Sequence, residues 1–343
     1  MKFSPIYFSL ILLLIVIDLS AQNKRGDLRI VFYNTENLFD TFDEAETADE
    51  EFLPEGSRHW NNYKFYKKLN STAKVLLAAG GWQPAGIIGL CEVENRFVME
   101  QLTGKTPLKN AGYKIIHKES PDSRGIDISM LYLEDKFRPL LYNYIPLKDK
   151  NGEVLKTREI LYVEGIVNNG DTLHVFFNHW PSRYGGYLET VELRGLAAST
   201  LRNEIERIFQ RNENSNIIIM GDFNDQPDDE SIRGTLQAIP YKSGVESKAL
   251  INLSAAYVNG NIGTIKYQSQ WLVYDQVIVS GFLFNEKNSL SCSPEGASVF
   301  FEKFLLTDDK TYGGKKPFRT FSGFQYTGGF SDHLPVFLDL NFR

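Results

Sequence analysis

Residues 216–225 read NIIIMGDFND. Three isoleucines and a methionine run straight into Gly221, Asp222, Phe223, Asn224 and Asp225 with nothing polar between. A short, β-branched apolar run of this kind is a buried strand. A carboxylate that closes such a strand is held rigidly by the sheet while its oxygens face a cleft. The same design recurs along the chain. LRIVFY (28–33) is followed by Asn34 and Glu36, GIIGLC (86–91) by Glu92 and Glu94, and TLHVFF (172–177) by Asn178 and His179. Asp275 opens DQVIVS, and Asp332-His333 precede LPVFLDL (334–340).

Working outward, YKIIHK, IDISMLYL and the pair EILYVEGIV and TLHVFFN, joined across Asn168-Asn169-Gly170-Asp171, predict further strands. Helical spacing from Tyr63 to Ala79 ends at Gly80-Gly81, and a second helix is expected from about Leu188 to Gln210. Strands in hairpin-linked groups with interspersed helices imply mixed or antiparallel sheets covered by helices. No GxGxxG follows a strand, which argues against a dinucleotide-binding fold. The stretch Asp40–Glu55 carries eight acids and reads as an exposed, solvated loop.

Carboxylates gathered from so many strand ends would repel one another without a hard divalent cation. Oxygen ligands point to Mg²⁺, with Mn²⁺ or Ca²⁺ as alternatives, rather than to zinc. Such a centre suits phosphate-ester hydrolysis, where metal and imidazolium offset charge at phosphorus. Each piece alone has a plainer reading. GDFN is also a turn sequence, His333 a hydrogen-bonded structural histidine, and His179 a packing partner of Trp180.

Taken together, TENLFD (35–40), LCEVEN (90–95), NHWPSR (178–183), GDFND (221–225) and SDHLP (331–335) resemble, in order, the endonuclease/exonuclease/phosphatase superfamily with its deoxyribonuclease I-like fold. The resemblance implies an α/β (α+β) four-layer sandwich of two mixed sheets packed face to face and flanked by helices, over a catalytic domain spanning 27–343. Its site would lie at one end, between the sheets. By motif, Asn34, Glu36 and Glu92 would surround the metal, with Asp332 opposite. Asp222 would orient or deprotonate water, and Asn224 would hold the scissile phosphate. His333, polarised by Asp275, would stabilise phosphoryl oxygens, and His179 would contact the phosphate or protonate the leaving oxygen. Arg183 and Arg124 are candidate substrate arms, with Arg194 and the KKPFR segment (315–319) behind them.

Composition bounds the rest. A chain of 343 residues with 42% hydrophobic and 23% charged residues is neither a disordered polyelectrolyte nor a coiled coil. Its net charge of −6 argues against broad electrostatic wrapping of nucleic acid, though not against a local basic cleft. Lys2 precedes an apolar run from Ile6 to Ile17, predicting a signal peptide over 1–21 and an exported protein, periplasmic or secreted, with no stable membrane span. Cys91 and Cys292 are too few for a disulfide framework, and no Cys/His spacing suggests structural zinc. The expected activity is that of a divalent-metal-dependent phosphodiesterase, an exported endonuclease acting on DNA or RNA as a monomer. A lipid or small-molecule phosphate-ester hydrolase is the alternative, and a non-catalytic binding protein a third class.

Overall fold

The computed structural model describes residues 25–258 and 260–343. The expected leader, residues 1–21, lies outside them. No helix among the described residues is long and apolar enough to cross a membrane. In chain order the sandwich strands are β1 (Leu28–Leu38), β2 (Ile87–Val93), β3 (Lys114–His117), β4 (Asp127–Tyr132), β5 (Phe137–Ile145), β6 (Ile160–Val167) and β7 (Thr172–His179). They continue as β8 (Asn216–Asp222), β9 (Ala238–Pro240), β10 (Leu250–Asn252), β11 (Asp275–Ser280), β12 (Leu290–Ser291), β13 (Ala297–Val299) and β14 (Val336–Phe342).

They form two mixed sheets of seven strands, as the family resemblance implied. The first runs β12-β14-β1-β2-β4-β3, with β13 also on β14, and the second runs β5-β6-β7-β8-β11-β10-β9. β1 lies parallel to β2 and β7 to β8, while β8 and β11 are antiparallel. Period-2 alternation divides the side chains between layers. Val175, Phe177, Ile218 and Met220 join the core between the sheets, whereas Phe176, Ile217 and Ile219 face the long helix. Phe32 of the first sheet stacks on Phe177 of the second at 6.1 Å. Gly89 permits that approach, because a Cβ there would meet the Phe177 ring at 2.3 Å.

Helix α1 (Asn62–Ala79) starts at Asn61, whose side chain accepts from the Lys64 N–H. Its Phe65, Leu69, Ala73 and Leu76 extend the first core. Helix α2 (Arg96–Lys105), capped by Asn95, escaped sequence reading. Helix α3 (Tyr187–Arg211) packs Leu201, Ile205 and Ile208 on the second sheet. Strand β5 also went unread, because Pro139 interrupts it and Leu140, Leu141 and Tyr142 are exposed. As an edge strand with a register shift at Pro139, it tolerates both. Both cysteines are free and buried.

Candidate active site

Three strand ends of the second sheet place their chemistry by register alone. His179 at the end of β7 is opposite Asp222 at the end of β8, and Asp222 is opposite Asp275 at the start of β11. His333 arrives on the loop before β14. Its Nδ1 lies 2.7 Å from Asp275 Oδ2, and its Nε2 is 3.7 Å from Asp222 Oδ2. From the other side His179 Nε2 stands 3.8 Å from that same Asp222 oxygen and 3.8 Å from Glu92 Oε1. Buried Thr264, which the sequence did not single out, ties this corner together. Its hydroxyl accepts from the Asp275 N–H and its carbonyl from the Leu334 N–H.

The first sheet supplies its side chains through irregular backbone. Register shifts interrupt β1 between Asn34 and Leu38, and β2 between Cys91 and Val93. Glu36, Asn37 and Glu92 have φ of +53°, +55° and +58°, and Asn224 across the cleft has +51°. Left-handed backbone in non-glycine residues is strained and gathers at functional sites. Here it turns consecutive side chains to the same end. Asn34 Nδ2 donates to Asp222 Oδ2 at 3.0 Å and lies 3.2 Å from Glu92 Oε1, while Glu92 Oε2 accepts from the Asn37 N–H. Asn224 Nδ2 donates to the Trp180 carbonyl, and its N–H donates to Asp222 Oδ1.

Electrostatics separates the two histidines. Burial opposes charge on His333, but Asp275 and Asp222 outweigh it and raise its pKa well above the usual histidine value. Burial, with Arg158, Arg124 and His333 adding to it, drives His179 well below that value. One imidazole is therefore cationic and the other neutral around a single carboxylate. Burial lifts Asp222 to about 7, with His333 pulling the other way. Such a value suits a group that takes a proton near neutrality.

Glu36 and Asp332 come together across an arginine. Arg319 Nε lies 3.1 Å from Glu36 Oε1 and its Nη2 lies 3.0 Å from Asp332 Oδ2, while the Thr320 N–H donates to Glu36. Burial, then Asp332, raises the Glu36 pKa. Beneath them sits buried Lys68, held by Thr320 Oγ1 and the Phe330 carbonyl and lowered by desolvation to about 8. The sequence reading passed over Lys68, and its place three residues after buried Phe65 on α1 is the signal that could have marked it. Nothing in the sequence marked Arg319 as a partner of Glu36.

The expected substrate arms lie differently. Arg183 points inward, its Nε on the Asn224 carbonyl at 2.7 Å and its Nη2 on Asp225 and Asp229, so it braces the loop after Asp222. Arg194, wholly buried, pairs with the same Asp225 at 2.7 Å. Arg124 is exposed and lines a cavity of about 390 Å³ with Arg158, Lys156, Ser182 and Tyr184. The acidic stretch is only partly solvated. Asp40 and Asp49 are buried, and Asn95 donates to Asp40 and Glu44.

Asp222, Asp275 and His333 offer ligand atoms all within 4.8 Å of one another. His333 Nδ1 is taken up by Asp275 Oδ2, while Asp275 Oδ1 has no partner, and Glu92 and Asp222 crowd a single amide of Asn34. Buried Asp222 and half-buried Glu92, held this close together, fit a hard divalent ion on the Asn34–Glu92 side.

A model of the endonuclease/exonuclease/phosphatase family matches residues 29–342. No curated protein sequence matches the chain significantly. Among solved structures, zebrafish (D. rerio) TDP2 complexed with a single-strand DNA product is 13% identical, with a TM-score of 0.53 over 92% of this chain and 98% of that one. The human Nocturnin catalytic domain is 16% identical, with a TM-score of 0.52 over 92% and 94%. A mannosyl-6-phosphatase from Bacteroides thetaiotaomicron is 13% identical, with a TM-score of 0.53 over 92% and 100%.

Proposed function

This chain belongs to the endonuclease/exonuclease/phosphatase family and is a phosphoesterase of that family, and on that premise we propose that it is a divalent-metal-dependent phosphodiesterase acting on nucleic acid. The observation that carries the chemistry is the pair of oppositely poised histidines around Asp222. Asp222 takes the proton of the attacking water. Cationic His333, held by Asp275, faces the phosphoryl oxygens and stabilises the charge that grows there. Neutral His179 holds the ester on the opposite side, and the Asn34 amide limits where Asp222 can turn. Glu92, with Asn34 and Glu36 beside it, would hold Mg²⁺, which neutralises phosphoryl charge and favours hydroxide when bound.

Nucleic acid is favoured by the cavity that Pro181 and Ser182, just after His179 in the chain, help to line. Arg124 and Lys156 line it, beside Arg158, which is buried on Asp122 at 2.7 Å, and Tyr184 is 94% exposed at its edge. A cationic groove with a free aromatic face grips a backbone and stacks a base. The TDP2 structure with bound DNA product shares the fold. The leader sequence supports export.

Supercoiled plasmid, incubated with Mg²⁺ or Mn²⁺ against EDTA and with Asp222→Asn as control, tests the reading. Metal-dependent nicking lost in the variant is the expected result. Absence of nicking by folded protein, with turnover of a sugar phosphate or sphingomyelin instead, would move the assignment to small or lipid phosphate esters. Turnover of neither would leave a binding protein.

A further inference from the structure

The described residues contain a second His/carboxylate cluster on the hairpin of β3 and β4, next to β2, where Asp127 pairs with Val93, the residue after Glu92. His117 closes β3, Asp127 opens β4, and Glu119 sits on the intervening loop. His117 Nε2 is 3.0 Å from Glu119 Oε1 and 3.5 Å from Asp127 Oδ2. Four-coordinate ligands about 2.0–2.1 Å from a zinc ion stand roughly 3.3–3.4 Å from one another. The two measured separations bracket that spacing.

Two further observations point to a ligand. Asp127 is 1% exposed, and its Oδ2, on the side of His117, has no hydrogen-bond donor. Its other oxygen is fixed by the Ser120 N–H at 2.7 Å, so the free oxygen cannot swing away. The far ring nitrogen of His117, Nδ1, lies 2.8 Å from Ser129 Oγ. With Nδ1–H donating to that hydroxyl, Nε2 turns its lone pair on the two carboxylate oxygens. This is how metal-binding imidazoles are oriented.

We propose that His117, Glu119 and Asp127 form a zinc site with a fourth position open to solvent on the Glu119 side. One nitrogen and two carboxylate oxygens suit Zn²⁺, whereas Ca²⁺ needs six to eight oxygens that this hairpin does not offer. The ion would close the loop from residue 119 to 127, whose Arg124 lines the same cavity as Pro181 and Ser182. It would thus hold one wall of the substrate groove without touching the reacting atoms. The proposal does not depend on which phosphate ester is cleaved.

The test is Zn²⁺ titration of the full purified chain, freed of metal and then kept in excess Mg²⁺, by competition with a chromogenic chelator. One equivalent per chain is expected. His117→Ala should weaken it by about tenfold or more, as should Glu119→Gln, a change at an exposed side chain that leaves folding undisturbed. Co²⁺ in place of Zn²⁺ should give a tetrahedral visible spectrum that both variants lose. Asp275→Asn, which alters the other His/carboxylate cluster, should keep the equivalent. Failure of the wild type to bind Zn²⁺, retention by both hairpin variants, or loss in Asp275→Asn alone would overturn the site.

Discussion

The two sheets build their halves of the cleft by different means. In the second sheet, His179, Asp222 and Asp275 are neighbours because ordinary ladder register sets them side by side. In the first, Asn34 closes the regular pairing with Cys91, but Glu36 and Glu92 reach the cleft through interrupted register and left-handed backbone. A regular ladder fixes side chains by pairing that every flanking residue supports. A bulged segment relies on local bonds, here Thr35 Oγ1 to the Cys91 carbonyl and the Asn37 N–H to Glu92. The ladder half therefore suits proton transfer, which tolerates little misplacement. The bulged half suits cation binding, where ligands adjust around an ion.

Substitutions sharpen that division, beginning with the largest effect. Asp222→Asn should lower turnover by about 10²–10⁴-fold, the range of a lost general base. The melting temperature should hold or rise, because a buried carboxylate lifted to about 7 costs stability once ionised. Wild-type kcat/KM should show an acid limb near pH 7 that the variant lacks. Near-normal turnover would remove Asp222 from the chemistry.

Glu92→Gln should act on the metal rather than on the proton, raising the Mg²⁺ concentration for half-maximal rate by about tenfold. An unchanged Mg²⁺ titration would break the assignment of cation binding to the bulged half. Arg319→Met should move the same titration the opposite way. It frees Glu36 and Asp332 from a partly exposed ion pair worth ~0.5–1 kcal/mol, so half-saturation should fall two- to fivefold. A rise instead would mean that Arg319 positions the acids rather than competing for them.

The smallest effect concerns the network behind the first sheet. Burial, then Asp40, lifts Glu94 to about 9. The native state then keeps a proton that the unfolded chain releases near pH 4–5, so stability falls as pH rises from there toward 9. Glu94→Gln, which keeps an acceptor for the Asp40 N–H, should flatten that fall and raise Tm at pH 8 by about 1–3 °C. Parallel pH dependence of wild type and variant would show that Glu94 is not the group responsible.

Legibility followed a different division, between local and distant signals. Strand runs ending in Asp222, Glu92 and His179 were readable because apolar periodicity and a terminal polar residue are local signals. So were α1 and α3, with boundaries within two residues of those observed. What stayed hidden depends on contacts across long stretches of sequence. Arg319 meets Glu36 across 283 positions, and no spacing rule links them. Arg183 sits in a promising motif, yet Asp225 and Asp229 turn it inward. The acids after Asp40 read as solvated because composition cannot see Asn95, which holds two of them. The family resemblance carried the two-sheet architecture, which hairpin grouping alone left open.

Strand β1, which carries Asn34 and Glu36, is paired on one edge by β14, the last of the described strands. Arg29 clasps Asp339 through two bonds, of 2.8 and 2.5 Å, across 310 positions. During synthesis β1 must wait for β14, about 300 residues later, before that edge is covered. Contacts so distant in sequence form late. A stalled or prematurely terminated product would lack both His333 and the strand that holds β1 in place. Translation itself thus acts as a timer, since the cleft's two halves meet only once β14 has been made.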